Sequence, residues 1–286
     1  MNKTPQSIHP EVMITSIYNS LTKSEQKVAD VLKTHMNESV YWSVSDLAEY
    51  ADVGETTVIR FCRKLGYRGY QDFKLAVAQN KVDTNSQEFG EITESDSLET
   101  LAQKITAENM TTIQNTLKTI QTRDLEQAGK EIIHSNKLYL FGVGASGFMA
   151  QQAQYRFMRL GLNAESATDS HIIAMNCAVA TKGDVVIGIS TSGSTKDIVD
   201  ALEIAKHNGA FIICITKHLK SPITKYGDIV LLTSTKESPL HGGAFSSSIS
   251  QMHVLDILTK YIEIQEKERS LNALKITAKA VSNKLY

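Results

Sequence analysis

Apolar residues recur at helical spacing between positions 11 and 80, and past residue 135 they gather into short unbroken runs. In the first stretch, "LTKSEQKVADVLKTHM" sets Leu21, Val28, Val31 and Leu32 near helical spacing. Thr22 followed by Glu25 forms a capping box at the start of that helix. "SVSDLAEYA" predicts a second, shorter helix capped by Ser45, and a third runs from 55 to 65, closed by Gly66. Residues 81–97, "KVDTNSQEFGEITESDS", are polar and aperiodic, which marks a linker. Helices are expected at 98–119 and 123–135. The runs "KLYLFGVG", "DVVIGIST", "AFIICIT" and "DIVLLTS" then read as buried strands, the first three separated by helical segments. Buried parallel strands alternating with helices define an open α/β sheet.

Winding the third helix at about 100° per residue puts Val58, Phe61, Cys62 and Leu65 on one face. Thr56, Arg60 and Arg63 then project from the opposite face, with Thr57 and Lys64 on one flank. A solvated bundle helix would also carry charge, but here the charge is focused. Residues 1–80 hold nine Lys and Arg against nine Asp and Glu, whereas 60–74 hold Arg60, Arg63, Lys64, Arg68 and Lys74 against Asp72 alone. Hydroxyls and amides at the helix start suit phosphate, and arginines along the same side suit guanine edges in a major groove. Double-stranded DNA is the partner this face predicts.

In the second half, "FGVGASG" contains G-x-G-x-x-G at Gly142, Gly144 and Gly147, with Glu165 roughly where a ribose-binding acid would stand. Taken alone this motif also describes glycines that let a strand and a helix pack closely. "VVIGISTSGST" weighs against a dinucleotide site, because a second strand ends in Ser190, Thr191, Ser192, Gly193, Ser194 and Thr195 before the helix "KDIVDALEIAKHNG". Helix capping uses one or two hydroxyls. Five, beside orphan amides and a positive helix end, make an anion cradle, and phosphate is the common biological anion that fits. The turn holding Gly144 and Ser146 is expected to converge on the same edge. His171, in "TDSHIIAM", follows a strand and heads a helix near that edge.

Size and composition narrow the classes further. The chain has 286 residues, room for two cores, and a formal net charge of −1, so it has no bulk polybasic character. No run of eighteen apolar residues exists, and "MNKTPQSIHPEV" lacks an apolar signal region. Cys62, Cys177 and Cys214 are widely spaced within apolar patterns, without metal-ligand spacing. A cytoplasmic protein with reduced, buried thiols, no metal and no cofactor is expected.

"LTKSEQKVADVL" with "VSDLAEYADVGETTVIRFCRKLGYRGYQDFKLAVA" closely resembles the helix-turn-helix domain of the RpiR family of bacterial transcription regulators, over about the first eighty residues. That family usually has Gly then Ser at the turn, where Asp52 and Gly54 flank Val53 here. "GVGASG" and "ISTSGST" resemble the sugar isomerase (SIS) domain from about 125 to 265. The resemblance implies a flavodoxin-like fold that binds phosphorylated sugars, gripped by Ser146, Ser190, Ser192 and Thr195, with backbone contacts from Thr191. It also makes His171 a candidate for sugar hydroxyls. Family members often carry Arg in a "GAFSSR" stretch, where this chain has Ser248, with His241 upstream. That departure bears on ligand identity rather than fold.

The organisation expected is a helix-turn-helix domain at 1–80, a linker and connecting helix at 81–124, a SIS domain at 125–265 and a helical tail at 266–286. The function expected is a DNA-binding regulator controlled by a sugar phosphate, without catalysis. An isomerase or lyase with an appended helical domain, and a dinucleotide-sensing repressor, are the alternatives. Isomerisation would need a general base, for which Glu165 and His171 are the candidates near the first helix, while Glu237 and His241 belong to a later loop whose placement the sequence does not give. A homodimer or homotetramer is expected, because one small helix-turn-helix makes few base contacts and the helices at 98–119 and 249–265 carry apolar stripes.

Overall fold

The structure is a computed structural model that describes residues 10–79, 92–235 and 245–284. The chain forms two compact units that divide between Ala107 and Glu108. Glu237 and His241 lie outside the described residues, as does most of the linker.

The first unit holds α1 (Pro10–Ile17), α2 (Lys23–Ser39), α3 (Val44–Tyr50), α4 (Glu55–Lys64) and α5 (Tyr70–Gln79). The capping box at the start of α2 is present. The Thr22 amide donates to Glu25 Oε2 at 2.8 Å, and the Glu25 amide donates to Thr22 Oγ1 at 3.4 Å. α3 starts earlier than its sequence suggests. Ser43, not Ser45, caps it, because Asp46 three residues later completes a reciprocal box with Ser43. Ser45 Oγ instead donates to Glu55 Oε1 at 2.6 Å, tying α3 to the first turn of α4. The turn between those helices passes through Asp52 at φ 49°, a left-handed conformation that Asp tolerates better than most residues. Lys27 Nζ meets its carboxylate at 2.6 Å. Val58, Phe61 and Cys62 of α4 are fully buried among Ile14, Leu32, Leu47 and Phe73.

Helix α6 (Leu98–Thr119) spans the division, and the second unit continues with α7 (Thr122–His134). It then alternates β1 (Leu138–Gly142), α8 (Ala145–Arg159), β2 (Ala164–Ala167), α9 (Ser170–Val179), β3 (Val185–Ile189), α10 (Lys196–His207), β4 (Phe211–Thr216) and β5 (Ile229–Leu232). Two helices, α11 (Phe245–Gln265) and α12 (Lys267–Val281), follow. All five strands are parallel in the order β2-β1-β3-β4-β5, the flavodoxin-like arrangement.

Alternate residues of each inner strand serve opposite layers, which is why those runs read as continuously apolar. Leu138, Leu140, Ile187 and Ile213 pack with α7, α8 and α11, while Tyr139, Phe141, Val186 and Ile212 pack with α9 and α10. β2 is a fifth strand beyond the four apolar runs. It is an edge strand whose first three residues are only half-buried, so Glu165 and Ser166 interrupt the apolar signal. Among the described residues no helix is long and apolar enough to cross a membrane. The three cysteines are fully buried, and burial pushes each thiol up to about 12.

Lys64 Nζ also reaches Glu25 Oε2, at 3.1 Å. Burial raises the Glu25 carboxyl, but hydrogen bonds from Thr22 and Lys64 outweigh it and hold the group below its ordinary value. A depressed carboxylate stabilises the fold above the ordinary carboxylate range and loses that contribution as pH falls through its folded value. Trp42 is the single tryptophan, so its fluorescence in urea reports the first unit alone. Glu25→Gln is expected to lower the urea midpoint at neutral pH, with the deficit shrinking below about pH 4. An equal deficit at both pH values would show that the Glu25 charge contributes nothing.

Candidate functional site

A parallel sheet with these connections delivers the turns after β1 and β3 to one edge. The first turn is shaped by close packing. A Cβ on Gly142 would lie 2.5 Å from the Ser146 carbonyl oxygen, and one on Gly147 would lie 2.8 Å from Thr168 Cγ2. Gly144, at φ 60°, occupies the N-cap position of α8. Ser146, in the first turn of α8, is 9% exposed.

Glu165 does not stand at this edge. It lies opposite Tyr139, three residues before β1 ends, with its Oε2 2.5 Å from Lys137 Nζ and its Oε1 accepting from Asn176 Nδ2 at 3.0 Å. The Lys137 ammonium holds its carboxyl below the usual range, with Asn176 assisting against burial. Such a group serves neither a ribose at the edge nor a general base there.

The second turn carries the hydroxyls. The loop turns at Gly193, whose φ is 63° and whose Cβ would meet Ser221 Oγ at 2.1 Å. The Ser190 and Thr195 hydroxyls face each other at 2.9 Å, and Ser192 Oγ accepts from the Ser194 amide at 3.2 Å. Thr195 occupies the N-cap position of α10, yet no side chain caps that helix. The Ser190 and Thr195 hydroxyls thus pair with each other, and those of Ser192 and Ser194 bond to the loop backbone, beside a positive helix end whose N-cap side chain makes no cap. The simple capping role weighed for them is not what they perform.

Gln251, on α11, joins the two turns. Its Nε2 donates to Ser146 Oγ at 3.1 Å and to Thr191 Oγ1 at 2.9 Å, and the residue is 2% exposed. Sequence reading overlooks it, since a glutamine in an apolar helix carries no motif and its partners lie 105 and 60 positions away. His171 is exposed at the start of α9, where Asp169 Oδ1 accepts from the amides of His171 and Ile172. Among the described residues no hydrogen bond joins its ring to the hydroxyl loops. Ser248 is half-buried within α11.

On α4, Thr56, Arg60 and Arg63 are exposed on the face opposite the core. Thr57 is not part of that surface. It is only 8% exposed, because the position before Val58 already turns toward the core of the unit. Lys64 is tethered, donating to the Ser20 carbonyl at 2.6 Å as well as to Glu25. Arg63 Nε reaches the Arg68 carbonyl at 3.5 Å, and Arg60 makes no ion pair among the described residues.

The chain thus joins a helical unit with an outward arginine face to an α/β unit whose parallel sheet gathers hydroxyls at its carboxyl edge. Residues 10–83 match the helix-turn-helix domain of the rpiR family, and residues 131–261 match the SIS domain. An HTH-type transcriptional regulator of Haemophilus influenzae is 34% identical over 91% of this chain and 94% of its own length. The Escherichia coli regulator HexR is 28% identical over 96% and 94% respectively. The Vibrio vulnificus NanR protein complexed with ManNAc-6P superposes with a TM-score of 0.86 at 25% identity, over 96% of this chain and 99% of that one. The chain belongs to the RpiR family of helix-turn-helix transcriptional regulators with a SIS domain.

Gly193→Ala is expected to destabilise the second unit by about 1–3 kcal/mol, through both the left-handed backbone and the contact with Ser221. Gly69→Ala, where a Cβ meets nothing within 4 Å, serves as the control. Thermal denaturation of both variants checks this, and equal melting temperatures would remove Gly193 as the pivot of the loop.

Proposed function

We propose that this regulator binds a phosphorylated sugar through Ser146, Ser190, Thr191, Ser192 and Thr195, with Gly144 and Gly193 shaping the turns, and that the bound sugar sets its affinity for an operator. The observation that carries the reading is the N-terminus of α10, where Thr195 makes no side-chain cap, faced by a loop in which the Ser190 and Thr195 hydroxyls pair with each other and Ser192 and Ser194 bond within the loop. Donors without acceptors at a positive helix end are stabilised by an oxyanion, and a phosphate supplies several acceptor oxygens at once. The phosphorylated amino sugar held by the NanR neighbour supports the same ligand class. His171 stands on the α9 side of this edge as a candidate for sugar hydroxyls rather than for the phosphate.

Sensing without catalysis is the reading that fits the titratable groups. Glu165 is paired midway along β2, and the His171 ring is not linked to the hydroxyl loops. The relatives are named as transcriptional regulators. Turnover of an aldose or ketose phosphate that disappears with Glu165→Gln or His171→Ala would overturn this.

On the DNA side, Thr56, Arg60 and Arg63 form the contact surface, with Lys64 a lesser contributor because it is already bonded to Glu25 and Ser20. Two such units on one operator require a homodimer or homotetramer. The exposure of Met110 and Leu117 on α6 and of Met252 and Ile264 on α11 supports that assembly.

Arg60→Ala is expected to weaken specific operator binding by about 1–3 kcal/mol, the loss of one bidentate base contact. Fluorescence anisotropy with operator and scrambled DNA checks it, and unchanged discrimination between the two would place the docking face elsewhere.

For the ligand, each lost hydrogen bond to phosphate is worth about 1.5–3 kcal/mol, so Ser192→Ala is expected to raise the dissociation constant roughly ten- to a hundredfold. The double variant Ser190→Ala with Ser192→Ala is expected to keep its DNA affinity without ligand and lose the response to it, since a ligand biases DNA binding only through differential affinity for two conformations. A double variant that still responds at the wild-type ligand concentration would move the ligand away from this loop.

A further inference from the structure

Gln251 is buried, yet its amide is aimed at hydroxyls rather than at backbone. Both N–H groups of its Nε2 have acceptors, Ser146 Oγ at 3.1 Å and Thr191 Oγ1 at 2.9 Å. A hydroxyl is one donor and two acceptor lone pairs, and its proton rotates to suit its surroundings. Once Gln251 donates to it, the hydroxyl is used as an acceptor on that side, and its proton turns elsewhere. Among the described residues neither the Ser146 nor the Thr191 hydroxyl donates a hydrogen bond. Two serine-type groups that are chemically ambivalent in isolation are thereby biased into the same role, as donors toward the carboxyl edge of the sheet.

We infer that Gln251 is the positioning residue of the anion site, polarising the Ser146 and Thr191 hydroxyls into donors and so selecting a fully ionised oxyanion over a neutral hydroxylated ligand. This rests on the phosphate reading of the hydroxyl loops and adds the source of its selectivity. A site of freely rotating hydroxyls accepts from sugar hydroxyls as readily as it donates to oxyanions. A site whose hydroxyls already accept from a buried amide has given up one of two acceptor lone pairs on each, which weakens the first option and keeps the second. The same two bonds make Gln251 the side chain through which α11 is fastened to both turns, since α8 carries Ser146 and the loop before α10 carries Thr191.

The test is sulfate binding to the full chain by isothermal titration calorimetry, sulfate being a dianion across the pH range used. Wild type is expected to bind sulfate with similar affinity at about pH 8 and about pH 5, and Ser192→Ala more weakly at both. Gln251→Glu sets a carboxylate where the amide stood. It takes up the hydroxyl protons and repels the anion, so its affinity is expected to fall more than thirtyfold at pH 8. At pH 5 the protonated carboxyl donates again, and at least a third of the logarithmic loss is expected to return. A purely structural role would show no such pH profile. Gln251→Met, which keeps the length and removes both donors, is expected to weaken sulfate by three- to tenfold without pH dependence, and it stands in should Gln251→Glu fail to fold.

If wild type binds sulfate and either variant binds it as tightly as wild type does at both pH values, the inference is overturned while the anion site survives. That is also the result expected were the amide turned over, with Oε1 accepting from the hydroxyls. If wild type binds neither sulfate nor N-acetylmannosamine 6-phosphate, the anion reading itself falls and this inference with it.

Discussion

Parallel strands joined by helices have one unavoidable geometric result, which is that every strand ends on the same side of the sheet. In this protein the strand ends after β1 and β3 become the starts of α8 and α10, and two positive helix ends are brought to a shared edge. Backbone amides at those ends lack intrahelical partners by construction. Something must satisfy them, whether a side chain, water or a ligand. Gly142 permits the contact that fixes Ser146 at one end, since its missing Cβ leaves room for the carbonyl of that same residue. The hydroxyls of 190–195 are then held around the other end by the Ser190–Thr195 pair, by loop backbone and by Gln251. Ligand chemistry at this edge is thus a product of topology first and of residue choice second.

The helical unit depends on a different economy, in which polar side chains fasten helices that share an apolar core. Ser45 links α3 to Glu55 on α4, Lys27 steadies the left-handed Asp52, and Lys64 closes back on the start of α2. These ties surround a core built from Val58, Phe61 and Cys62. The outcome is that α4 is held on three sides while the face bearing Thr56, Arg60 and Arg63 stays open. For the proposed groove-reading face, the buried core contacts of α4 and these ties together set the orientation of the helix.

Much of this was legible in the residues, and the exceptions have physical causes. Periodicity located α2, α4 and the inner strands because their burial is one-sided or complete. It passed over β2, since an edge strand reading Ala-Glu-Ser-Ala keeps three residues half in solvent. Sequence alone points to Ser45 as the cap, and the reciprocal box with Asp46 puts it at Ser43 instead. Thr57 lay on the flank of a helical wheel, where a few degrees separate surface from core. For the hydroxyl loop, local sequence names the donors but not their bonding, and the family resemblance supplied the ligand class. Gln251 was out of reach altogether, because its meaning comes from two partners that only the folded chain brings near it. Side chains whose role is set by distant contacts leave no local pattern.

The tethering of Lys64 has a consequence for how ionic strength acts on this protein. Duplex DNA carries condensed cations, and binding gains entropy when protein charges displace them into solution. An ammonium already neutralised by Glu25 and bonded to the Ser20 carbonyl displaces few of them, unless it first gives up those bonds. Docking through the proposed α4 face would therefore release fewer counterions than the count of basic residues on α4 suggests. Weaker salt dependence leaves proportionally more of the affinity to base contacts. A regulator of neutral overall charge that docks through this proposed face would thus give up long-range attraction to any duplex in favour of discrimination at close range.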